Sequence, residues 1–171
     1  MLLLGGVFLL GALAGSLCCA RIPAVETLFL QEGQADSFWA AFWPDGVLLG
    51  LLFLAGLLRA GCLPVVAAVA AKGFLLAARA TGWVLALGQA GYGAAVCQVL
   101  LPGFLSLAAI LLLSRQVLSR RSLTGKKSLR PDGAFFLAAV ICLALTMLAA
   151  AAAWRLSPRL WQAAQTFFIA Q

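Results

Sequence analysis

Lys72 and Arg79 are the residues with the clearest chemical potential in this chain. They stand seven residues apart, two helical turns on nearly one face. Each lies in a run of small and apolar residues, where a base costs roughly 2.5–3.5 kcal/mol in hydrocarbon. Two such charges imply an internal structural or partner contact, a site that draws an anion, or snorkelling towards the two surfaces. Gln98 lies one turn before Pro102. A proline there frees a backbone carbonyl that Gln98 or a water satisfies, so the pair reads as a helix kink. Histidine is absent, which removes Ser-His and Cys-His nucleophilic pairs and the usual zinc sites. Cys18, Cys19, Cys62, Cys97 and Cys142 form no CxxC spacing and read as small buried hydrophobes. No catalytic, metal or cofactor residues are therefore expected, and the chain does not read as an enzyme. On this reading no Asp or Glu falls in the middle of a span, which disfavours a proton-driven pump.

The elements that must position these residues follow from composition. The chain has 171 residues, 64% hydrophobic and only 10% charged, with a mean hydropathy of +1.07. A soluble domain carries roughly 25% charged residues. Runs of about 20 apolar residues span a hydrocarbon core of about 30 Å. Inside a bilayer only helices and closed barrels satisfy their own backbone, and these Leu- and Ala-rich runs show no period-2 alternation. The fold class is all-α, a polytopic membrane protein of about five transmembrane helices in one domain.

The expected spans are 1–20, 44–59, 64–87, 92–113 and 134–153. No basic residue precedes the first, so it reads as an uncleaved helix rather than a signal peptide. Pro44-Asp45 suits a helix start, with proline in the first turn and a carboxylate at the positive dipole end. The preceding Phe38, Trp39, Phe42 and Trp43 then lie at the interface. Gly61 to Pro64 breaks the chain before the third span, and Gly88 to Gly93 forms a tight link after it. In the tail, 154–171, Ser157-Pro158 caps a short amphipathic helix. Its Leu160, Trp161, Ala164, Phe167 and Phe168 recur at helical spacing, as in a helix lying on the membrane surface. Gly11 with Gly15, and Gly46 with Gly50, are small-xxx-small pairs that let helices approach closely, and Gly73 joins them as a packing position.

Loop charges orient the chain. The segment 114–131 carries Arg115, Arg120, Arg121, Lys126, Lys127 and Arg130, and cytoplasmic loops hold the excess of Lys and Arg. The N-terminus is then cytoplasmic and the C-terminal tail outside. Glu26, Glu32 and Asp36 fall outside, Arg59 inside, and Trp39, Trp43, Trp83, Tyr92 and Trp154 near the outer boundary. The net charge of +7 reads as a topology signal with lipids as partners, and nucleic acid is not expected.

Leu51 to Leu113 resembles the stage II sporulation protein M family. The residues that carry the likeness are Gly56, the Gly61–Pro64 turn, Lys72-Gly73-Phe74, the Gly88–Gly93 link and Leu101-Pro102. The small-residue-rich first helix, five spans and an outer tail extend it over nearly the whole chain. Gly103-Phe104 stands where the family often has a polar pair, and Ala77-Ala78 where it usually has glycines. The resemblance implies a non-catalytic protein of the bacterial cell membrane acting in forespore engulfment. Its implied partners are membrane-anchored peptidoglycan hydrolases resembling stage II sporulation proteins D and P. The alternative is a small transporter or permease subunit for an anionic solute. There Lys72 and Arg79 would face a midplane site beside the broken third and fourth spans.

Overall fold

The computed structural model describes residues 2–21, 37–58, 62–122 and 133–169. They form α1 (Leu2–Arg21), α2 (Phe38–Leu58), α3 (Leu63–Leu87), α4 (Gln89–Ala94), a π-helical turn (Ala95–Leu100), α5 (Leu101–Ser122) and α6 (Gly133–Ile169). No strand occurs among the described residues. Five helices, α1, α2, α3, α5 and α6, are long and apolar enough to cross a membrane. The chain is an all-α, multi-pass membrane protein.

Four boundaries differ from the sequence expectation. The fourth span, expected at 92–113, is instead α5, Leu101–Ser122, so residues 114–122 of the expected loop are helical. The second span begins at Phe38, so Pro44 lies inside the helix rather than at its start. Ser37 explains this: its Oγ accepts the Ala40 N–H at 3.2 Å, a side-chain cap that starts the helix before the aromatic run. Pro44 then forfeits only the one bond its N–H would have made. Between the third and fourth spans the expected glycine link shrinks to Gly88. Its φ of +56° suits a residue without a Cβ, and Gly91 N–H donates back to its carbonyl at 3.1 Å. The tail does not start a separate helix at Ser157-Pro158, because α6 runs on unbroken for 37 residues. That is about 55 Å, well beyond one hydrocarbon thickness. The intact ladder arriving from Ala149–Ala153 outcompetes the Ser157 cap, and Pro158 removes only a single bond.

Interhelical contacts set the register. An added Cβ on Gly11 would fall on the Ala70 carbonyl, one on Gly15 on the Phe74 carbonyl, and one on Gly73 on the Phe8 carbonyl. Two backbones in that contact leave no room for any other residue, and the rising numbers make α1 and α3 parallel. Asp45 on α2 meets Lys72 on α3, and only four residues part Leu58 from Leu63, so α2 runs antiparallel to α3. The α5 helix does too, with Gly103 against Leu76 near one end and Val117 beside Gly56 near the other. Gly56 faces the Phe135 ring and Val117, which brings the end of α2 beside α5 and the start of α6. The core between them holds Leu48, Leu52, Val65, Val69, Ile110 and Leu113.

Counting along these contacts, Leu2, Leu58, Leu63 and Gly133 share one end of the bundle. Arg21, Phe38, Arg79, Leu100 and Trp154 share a level one hydrocarbon thickness away, since the 20 residues of α1 measure about 30 Å. The last turns of α3, Gly88, α4, the π-helical turn and α6 beyond Trp154 stand above that level as a cap. The cap has a small core of its own in Trp83, Ala95 and Val99 with Leu76 below them.

Candidate functional site

Lys72 donates from Nζ to Asp45 Oδ1 at 2.6 Å, with the two side chains 6% and 17% exposed. The pair sits nine residues from the start of α3, about 14 Å in and so near the middle of the hydrocarbon. This corrects the expectation that no carboxylate lies within a span. Moving the start of α2 back to Phe38 carries Asp45 from a helix terminus to mid-bundle. A buried base beside a half-buried carboxylate makes a charge-assisted hydrogen bond, and each ion supplies what burial withholds from the other. Two hydroxyls at the same level turn inward on their own helices. Ser106 Oγ donates to the Gly103 carbonyl at 3.1 Å and Thr146 Oγ1 to the Cys142 carbonyl at 2.5 Å. The carboxylate is therefore the partner that the fold supplies to Lys72.

Arg79 is half-buried and stands about 10 Å from Lys72 along α3, at the level where the hydrocarbon ends. The π-helical turn lies at this level too. A π turn carries i→i+5 bonds and widens the helix, and here it comes immediately before α5 and Pro102, whose ring excludes the bond to the Gln98 carbonyl. Pro102 is buried; the side chain of Gln98 lies outside the described residues. The break thus belongs to the cap end, and Lys72 belongs to the midplane. Lys72 and Pro102 therefore stand at different depths in the bundle.

The packing glycines separate into two groups. Gly11, Gly15 and Gly73 lie where α1 and α3 touch backbone to backbone. Gly46 and Gly50 differ from these: the atoms nearest an added Cβ on Gly46 belong to the Phe42 ring of its own helix, at 2.7 Å, and Gly50 faces open space. Trp83, expected at the headgroups, is 2% exposed inside the cap. Trp39, Trp43 and Tyr92 do lie exposed, at 65%, 70% and 63%. Glu26, Glu32, Asp36, Arg59, Lys126, Lys127 and Arg130 lie outside the described residues, as do the side chains of Trp161, Phe167 and Phe168. Sequence reasoning missed Asp45, for which Ser37 ahead of the aromatic run was the available signal. It also missed Gly103 and Gly91, which admit Leu76 and the Trp83 carbonyl.

No protein-family model, curated protein or solved structure matches the chain.

Proposed function

We propose that this chain is a non-catalytic membrane scaffold of the kind its resemblance to stage II sporulation protein M implies. It holds peptidoglycan-degrading partners at a bacterial cell membrane during forespore engulfment. One observation carries the choice over an anion permease. The mid-bundle cation, Lys72, is neutralised by Asp45 of the same chain, so it clasps α2 to α3 and presents no net charge to a solute. The break expected to accompany a midplane site stands at the end of the bundle, where transport would not need it.

In this reading the basic segment 114–131, which begins in the last turns of α5, is cytoplasmic, as is the N-terminus, and the cap faces outwards with the C-terminus. The parallel packing of α1 on α3 supports it, because it puts the N-terminus at the same end as that loop. Peptidoglycan lies on the cap side. Exposed Leu85, Tyr92 and Val96 offer hydrolases resembling D and P an apolar surface above the hydrocarbon.

Affinity purification of the tagged protein from native membranes in mild detergent, with mass spectrometry of what accompanies it, tests this. Peptidoglycan hydrolases in the eluate support the scaffold. ATPase subunits or a soluble binding protein in their place would replace it with the permease.

A further inference from the structure

The α6 helix changes character where it leaves the hydrocarbon. From Gly133 to Arg155 it is apolar enough to cross a membrane, and those 23 residues already measure about 34 Å, slightly more than the core. Beyond Trp154 a polar stripe begins: Arg155, Arg159 and Gln162 recur at i, i+4 and i+7, and all three are exposed. Arg155 also lies 5.4 Å over the Trp154 ring, a contact that holds the guanidinium beside an indole suited to the interface. Exposed Arg21 closes α1 at the same level, where half-buried Arg79 also stands.

We infer that Arg155 and Arg159 form a binding surface for the phosphate of an anionic phospholipid in the leaflet at the cap end. The register places them at headgroup depth. Successive turns of a helix present two planar forks on one face, the arrangement that takes a phosphate through paired N–H donors. Net negative headgroups are preferred because the phosphate of a zwitterionic lipid arrives with its own cation. The bound lipid would fix the depth of α6, and with it the height of the cap that α6 flanks.

The full-length protein, stripped of lipid in detergent, is titrated with phosphatidylglycerol or phosphatidylcholine and the bound lipids are counted by native mass spectrometry. The wild type is expected to hold phosphatidylglycerol in preference. Each basic residue at an anionic surface changes affinity by roughly fivefold, so Arg155→Gln with Arg159→Gln should lower phosphatidylglycerol affinity by about twentyfold or more and leave phosphatidylcholine unchanged. Should the double variant fail to insert, Arg159→Gln alone, one turn further from the hydrocarbon, is expected to show a roughly fivefold loss. Undiminished preference in the variants would overturn the inference.

Discussion

Lys72 and Asp45 meet at 2.6 Å across the α2–α3 interface, near the middle of the bundle, with Lys72 buried and Asp45 half-buried. Removing one member leaves the other as an uncompensated charge in a dry interior. Lys72→Met or Asp45→Leu alone should destabilise the protein by about 3 kcal/mol, and the two together should recover most of that loss. Denaturant unfolding of the four proteins in one detergent measures the cycle. Additive losses would mean that the two charges act separately.

The α1–α3 contact predicts a sharp difference between glycines that look alike in sequence. Gly73→Leu or Gly15→Leu must push two backbones apart and should cost about 1–3 kcal/mol or detach α1. Gly50→Ala meets nothing and should be neutral or slightly stabilising, since alanine is the better helix former. Thermal unfolding of the purified variants separates them.

At the opposite end the same method tests the joint of three helices. An added Cβ at Gly56 lies 2.5 Å from the Phe135 ring, which itself stacks on Phe53 with centroids 5.6 Å apart. Gly56→Val should therefore cost about 1–3 kcal/mol, and shrinking the ring in Gly56→Val with Phe135→Leu should recover part of it.

Depth is checked by chemical labelling in a cysteine-free background. Leu85→Cys and Tyr92→Cys, on the cap, should react with a membrane-impermeant maleimide added to intact cells. Val47→Cys, exposed but level with the midplane, should stay unlabelled because its surroundings are lipid. A variant that keeps Cys62 as its single cysteine, exposed at the other end, should react only once the membrane is opened. Labelling of Cys62 from outside would invert the orientation.

What the sequence made legible was whatever depends on length and average hydropathy. The third and fifth spans emerge within a residue of their expected starts, Pro64 against Leu63 and Ala134 against Gly133. Local rules misled where two signals competed. Pro44-Asp45 has the chemistry of a helix start, but Ser37 had already capped the helix, and this displacement hid the partner of Lys72. Ser157-Pro158 has the chemistry of a break, yet the established helix passes through it. Gly11 and Gly50 belong to the same spacing pattern and differ only in whether another helix lies opposite, which spacing does not record. The level of Arg79 needed the register of the neighbouring helices, because α3 extends past the boundary that α1 and α2 define.

The central claim is that the buried charges hold a scaffold together and do not themselves bind a solute or partner. The most direct test compares the wild type with the Asp45→Leu, Lys72→Met double variant, each tagged and purified from native membranes with its associated proteins. The account predicts the same membrane-anchored hydrolases with both, in similar amounts. A double variant that inserts and unfolds like the wild type but loses those partners would contradict it, and would make Lys72 and Asp45 part of the working site.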